Sequence, residues 1–125
     1  MTLTAGEIWF AWVPYNDVSP AGPTACDVPG KRRPVVILGW SVGGPDSVVL
    51  VVPVTSFGGT NNARGGDIRI SDSQLAGLEQ NKTSYVRARR LCGLNPKALD
   101  TRGSVGRVSS TELDEIFKEV ASLLH

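Results

Sequence analysis

The chain has 125 residues, a formal net charge of +1 and 41% hydrophobic residues, the size and balance of one soluble globular domain over residues 1–125. No apolar run approaches the roughly 18 residues of a membrane span, and the opening Met-Thr-Leu-Thr-Ala-Gly-Glu carries no basic-then-apolar leader, so a cytoplasmic protein with no membrane partner is expected. The only histidine is His125, and Cys26 and Cys92 stand far apart in no CxxC pair, which excludes a Ser-His-Asp set, a His-based acid–base pair and a recognisable metal site, so no cofactor is expected.

Strand signals dominate from the start. Residues 7–13 (EIWFAWV) are β-branched and aromatic and end at Pro14. Residues 15–31 form a long loop with several prolines, a kind that in a small domain carries function or disorder. Residues 33–40 and 47–55 are two apolar runs separated by a Gly- and Pro-containing spacer, which predicts a hairpin. Neither run alternates, so both faces of each are expected to be covered, one by the core and the other by a neighbouring strand layer or a second copy of the chain. Residues 57–66 (FGGTNNARGG) read as a flexible loop. Residues 67–71 (DIRIS) read as a short half-exposed strand, and 72–77 as a turn or one helical turn.

Residues 83–94 (TSYVRARRLCGL) open with strict alternation, which places Tyr85, Arg87 and Arg89 on one strand face and Val86 and Ala88 on the other. Residues 103–108 predict a last short strand. The clearest element is C-terminal: Ser109 and Glu112 have capping-box spacing. Leu113, Ile116, Phe117, Val120, Leu123 and Leu124 then recur at helical spacing over residues 110–124. The expected architecture is mainly β, a small β-barrel or strongly curved sheet with one terminal helix.

Charge is unevenly placed along this frame. Residues 81–107 carry seven cations against the single acid Asp100, whereas residues 109–125 carry Glu112, Asp114, Glu115 and Glu119 against Lys118. A basic body of this kind suits an anionic partner. Arg33 opens the second strand behind Lys31 and Arg32, Thr55 and Ser56 close the third, Arg64 lies in the glycine-rich loop, and Arg87 and Arg89 follow. Arginines and hydroxyls without histidine or metal ligands suit a phosphodiester, because guanidinium forks match phosphate oxygens and stabilise charge building on phosphorus. Taken singly, each arginine reads equally as a solvated strand-edge charge, and the Thr-Ser pair as turn chemistry.

The chain resembles the MazF/PemK (Kid) toxins of bacterial type II toxin–antitoxin systems along nearly its whole length. "GEIWFAWVP" is similar to that family's opening strand, "GKRRPVVIL" to its Gly-x-Arg-Pro signature, and "VVLVVPVTSFGG" to its third strand. "SYVRARRLCGL" falls at its fifth strand and "GRVSSTELDEIFKEVASLL" resembles its closing segment and helix. The resemblance implies an SH3-like, PemK-type small barrel that forms a homodimer and cleaves single-stranded RNA without metal. Attack of a ribose 2′-OH on the adjacent phosphate would leave a 2′,3′-cyclic phosphate and a 5′-OH. It also implies a cognate antitoxin protein as partner. By position, Arg33 and Thr55 match the catalytic arginine and threonine, and Arg87 an arginine with an acid or phosphate-stabilising role. Ser56 matches an RNA-contacting serine, and Lys31, Arg32, Arg64, Arg89 and Arg90 would hold RNA.

The chain departs from the family after Arg87. Where an acid and a glutamine are usual, Arg89 and Arg90 stand, and a usual basic position is Cys92. An arginine cannot accept a proton at neutral pH, so the base is expected from Asp17 or Asp27 in the long loop, unless Arg33 and Thr55 suffice. The same departure leaves room for a non-catalytic module of this fold that grips RNA or a protein, a gyrase-inhibiting relative included.

Overall fold

The computed structural model describes residues 3–14, 30–41, 43, 44, 46–57, 66–70 and 83–123, and for residues 14, 56, 57 and 83 the backbone alone. Their strands are β1 (Glu7–Pro14), β2 (Gly30–Ser41), β3 (Val48–Phe57), β4 (Asp67–Ile70), β5 (Thr83–Arg87), β6 (Cys92–Leu94) and β7 (Leu99–Arg107), followed by helix α1 (Ser110–Ser122). Every strand pairing is antiparallel, in the order β4-β5-β3-β2-β1-β7, with β6 beside the first half of β3. Among the described residues β4 and β7 end this order without pairing to each other, so the expected small barrel takes the form of an open, barrel-like sheet.

Period-2 alternation in β2 and β3 sends successive residues to opposite faces, and both faces are buried. On one, Val36, Val52, Val54, Val86 and Ile68 pack with Ile116 of α1. On the other, Val35, Ile37 and Val51 pack with Trp9, Leu94, Ala98 and Leu99. The unbroken apolar runs are therefore explained within a single chain, and the second copy that the sequence reading invoked is not needed to cover them. Helix α1 closes the first face. Ser109 Oγ accepts from the Glu112 N–H at 3.1 Å while Glu112 Oε1 accepts from the Ser109 N–H at 2.9 Å, the reciprocal cap its sequence predicts. Its apolar stripe is narrower than expected: Ile116 is fully buried and Leu113 and Val120 pack beside it, but Phe117 and Leu123 are exposed.

The predicted hairpin is present, with a bulge in β2 between Ile37 and Gly39. The predicted strand over residues 83–94 is cut in two. It loses both ladders at Val86 and Arg87, turns through an Arg90 N–H to Arg87 carbonyl bond, and resumes as β6 on the far half of β3. The final strand is longer than expected and starts at Leu99. Of the predicted loops, residues 15–29, 58–65 and 72–77 lie outside the described residues, as does Ser71 of the predicted strand over 67–71, whereas Gly30, Lys31 and Phe57 belong to strands.

What positions the site is a fork in the sheet. β2 and β3 pair from Ser41↔Val48 to Val35↔Pro53 and then part. Beyond that point Pro34 to Gly30 stay on β1, opposite Phe10 to Pro14, while Val54 to Phe57 stay on β5, opposite Val86 to Thr83. Pro34 and Pro53 flank the branch point, and neither has an N–H to carry a ladder onward.

Candidate functional site

The fork opens a cleft of about 320 Å³, lined by Lys31, Arg32, Arg33 and Pro34 on the β2 side and by Val54, Thr55 and Ser84 on the other. That is the size of a small-ligand pocket. Residues that the chain separates by more than twenty positions meet here because of the register alone. Continuing the β2–β3 ladder past Val35↔Pro53 would set Arg33 opposite Thr55, and Thr55 is paired with Tyr85 on β5. Opposed residues share a face, so Thr55 and Tyr85 lie on one face, and Arg33 stands across the fork on the continuation of that face.

Arg33 is the most informative member. Its Nε is buried and, among the described residues, has no hydrogen-bond acceptor. Leaving a buried donor unpaired costs about 1–3 kcal/mol, so a position that tolerates it is poised for an acceptor brought by a ligand. Arg32, the neighbour on the opposite face of β2, is differently placed. Its guanidinium is paired with Asp100, lies 4.7 Å from the centre of the Phe10 ring, and is about half exposed. Arg102 reaches the same carboxylate at 3.4 Å and the same ring at 5.8 Å. Lys31 is exposed at the cleft mouth.

The structure thus brings Arg33, Thr55, Lys31 and Arg32 to one place and sets other expected residues elsewhere. Arg87 is outside the cleft lining, though it lies on the same sheet face, two residues beyond Tyr85, with Asp67 Oδ2 at 3.7 Å from its Nη1. Arg89 is on the helix side, its Nε donating to Glu119 Oε1 at 3.0 Å and its Nη2 at 2.9 Å from the same oxygen. Arg90 is exposed in the turn after β5. The Ser56 side chain, Arg64, Asp17 and Asp27 lie outside the described residues.

Ser84 is the cleft residue that sequence reading missed. It is 3% exposed, among otherwise apolar core residues, and it lines the cleft opposite Arg33. The signal was present in the alternation of residues 83–87, where a serine occupies an inward position beside Val86. Among the described residues no three His, Cys, Asp or Glu side chains gather as a metal ion requires, and no helix is long and apolar enough to cross a membrane. Burial pushes the Cys92 thiol up from its ordinary pKa, which leaves it a poor nucleophile.

Comparison with known proteins is decisive about family. The model of the PemK-like, MazF-like toxins of type II toxin–antitoxin systems matches residues 4–124. The chain belongs to that family. Its fold is shared with MazF from Deinococcus radiodurans, at 17% identity and a TM-score of 0.64, covering 99% of this chain and 97% of that one. A MazE-MazF structure from the same organism, at 17% identity and a TM-score of 0.61, covers 99% and 96%. An endoribonuclease in complex with its cognate antitoxin from a mycobacterial species, at 17% identity and a TM-score of 0.63, covers 98% and 95%. No curated protein matches the chain in sequence. At these identities the structural likeness speaks for the fold, while the family rests on the match over residues 4–124.

Proposed function

We propose that this toxin-family protein is an endoribonuclease that cleaves single-stranded RNA in the cleft between β2 and β3, without a metal ion. The observation that carries the reading is the buried Nε of Arg33, unpaired among the described residues, in a cleft that Thr55 also lines. A phosphodiester seated there would supply the missing acceptor. The ribose 2′-oxygen attacks the adjacent phosphorus, giving up its proton, and the bond to the 5′-oxygen breaks as that oxygen gains one. Products are a 2′,3′-cyclic phosphate and a 5′-OH. Arg33 donates to the non-bridging oxygens as negative charge builds, a role in which a fixed donor is worth more than in water. Thr55 and Ser84 offer hydroxyls on the opposite wall to orient the phosphate, and Arg87 approaches from the same face. Lys31 and Arg32 neutralise flanking phosphates, a contribution that holds register without reading sequence. Ser56, Arg64 and Arg90 are proposed to extend this basic track.

Two partners complete the proposal. A small cognate antitoxin would neutralise the protein, as MazE-MazF complexes are known for proteins of this fold. A homodimer is also proposed, now on the partial exposure of Leu50 and Leu91 beside β6, since burial of β2 and β3 does not require it. The acting compartment would be the cytoplasm, where messenger RNA is met. A second reading, an RNA-gripping module without cleavage, is favoured by one observation: the position after Arg87 at which an acid was expected is Arg89, held by Glu119. Incubating purified protein with single-stranded RNA in EDTA and mapping the ends separates the two. Cyclic-phosphate and 5′-OH ends support the nuclease. Retarded but intact RNA supports the module.

A further inference from the structure

We infer that Asp67 is a positioning residue for Arg87, an electrostatic tether on β4 that holds the Arg87 guanidinium over the sheet face carrying Thr55. The inference rests on the nuclease reading above and extends it to a residue that no comparison points to. Asp67 pairs directly with Arg87 in the β4–β5 register. Its side chain is only 6% exposed and that of Arg87 only 17%. A carboxylate this deeply buried is costly unless a cation stands by it, and such a pair is weak as a source of stability but strong as a determinant of orientation. Asp67 Oδ2 stands 3.7 Å from Arg87 Nη1, within ion-pair distance, so the carboxylate biases where the guanidinium sits.

The neighbouring face supplies that anion's site. Thr55 pairs with Tyr85, and Arg87 is two residues further along the same strand face. The diagonal separation on a sheet face is about 7–8 Å, within reach of long side chains. Arg87 thus approaches a phosphate at Thr55 from the side opposite Arg33. A carboxylate on β4 does for Arg87 what no acid on β5 can do here, because β5 ends at Arg87 and the next long polar side chain, Arg89, is turned to Glu119. Gly66, immediately before Asp67, makes room for this arrangement. Its φ is +87°, and a Cβ there would stand 2.5 Å from Arg89 Nε. Arg89 can therefore cross over Gly66 to the helix while Asp67 holds Arg87 on the other side.

The test compares wild-type protein with Asp67→Asn in single-turnover cleavage of a single-stranded RNA, alongside phenylglyoxal modification of Arg87 read by peptide mass mapping. Asp67→Asn is expected to lower the rate at saturating RNA about 10-fold with RNA affinity unchanged or tighter, because one negative charge is lost near the site. Arg87 should become several-fold more reactive while Arg33 does not change. Asp67→Glu, which keeps the charge, should recover most of the rate. If Asp67→Asn fails to fold, Asp67→Ser carries the same expectations in a smaller side chain. Wild-type cleavage with an indifferent Asp67→Asn rate and unaltered Arg87 reactivity overturns the inference alone. A wild-type protein that cuts no RNA removes the nuclease reading and with it any part for Asp67 in the reaction.

Discussion

Three consecutive cations, Lys31, Arg32 and Arg33, have three different fates. Alternation along β2 turns Arg33 into the fork and Arg32 onto Phe10, while Lys31 stays in solvent. Asp100 then decides how much positive charge the Arg32 side presents, because a single carboxylate answers both Arg32 and Arg102. Exposed pairs of this kind are worth at most about 1 kcal/mol to stability, so Asp100 matters more to binding than to folding. Asp100→Asn is expected to tighten RNA binding and steepen its salt dependence by about one counterion, with little change in melting temperature. Filter binding across a salt series checks this, and weaker binding in the variant would show that Asp100 presents Arg32 rather than quenching it. Sequence reading picked out Arg33 and Thr55, and the fork brings them together. It could not separate Arg32 from Arg33, since the partner of Arg32 is 68 positions away on β7. Ser84 and Asp67 were passed over for the same reason: their meaning lies in what stands across the ladder.

At the scale of elements, the C-terminal helix was legible because a capping box and a 3.6-residue stripe are local signals. The end of β5 was not. Residues 83–89 keep alternating, and nothing in that stretch breaks a strand. The strand stops because its neighbours stop, with Val54↔Val86 and Asp67↔Arg87 the last pairs available. Past that limit Ala88 turns into the core and Arg89 reaches Glu119. Arg89 therefore acts here as a brace between sheet and helix. Arg89→Ala is expected to lower the melting temperature by about 2–6 °C and to leave RNA affinity within twofold. A calorimetric scan and a binding isotherm on the same protein decide it. A large loss of affinity at unchanged stability would return Arg89 to the RNA track.

For the whole molecule, one chain covers both faces of its central strands, and the order of strands leaves the sheet open at β4 and β7. Continuous apolar runs pointed to double-sided burial, which is correct; of the two covers that pattern left open, a neighbouring strand layer or another copy, β6, β7 and the turn at 96–98 supply the first. The proposed homodimer instead depends on Leu50 and Leu91. Light scattering at micromolar concentration should give twice the chain mass, and Leu50→Lys should halve it. A monomeric wild type would confine the active unit to one chain. The central claim is that the cleft between β2 and β3, with Arg33 and Thr55 on facing walls, cuts RNA. It is tested most directly by cleavage of one single-stranded RNA in EDTA by wild type and Arg33→Ala side by side. Wild type should yield 2′,3′-cyclic phosphate and 5′-OH ends, and Arg33→Ala should be about 10²–10³-fold slower. Equal rates for the two proteins would contradict the claim.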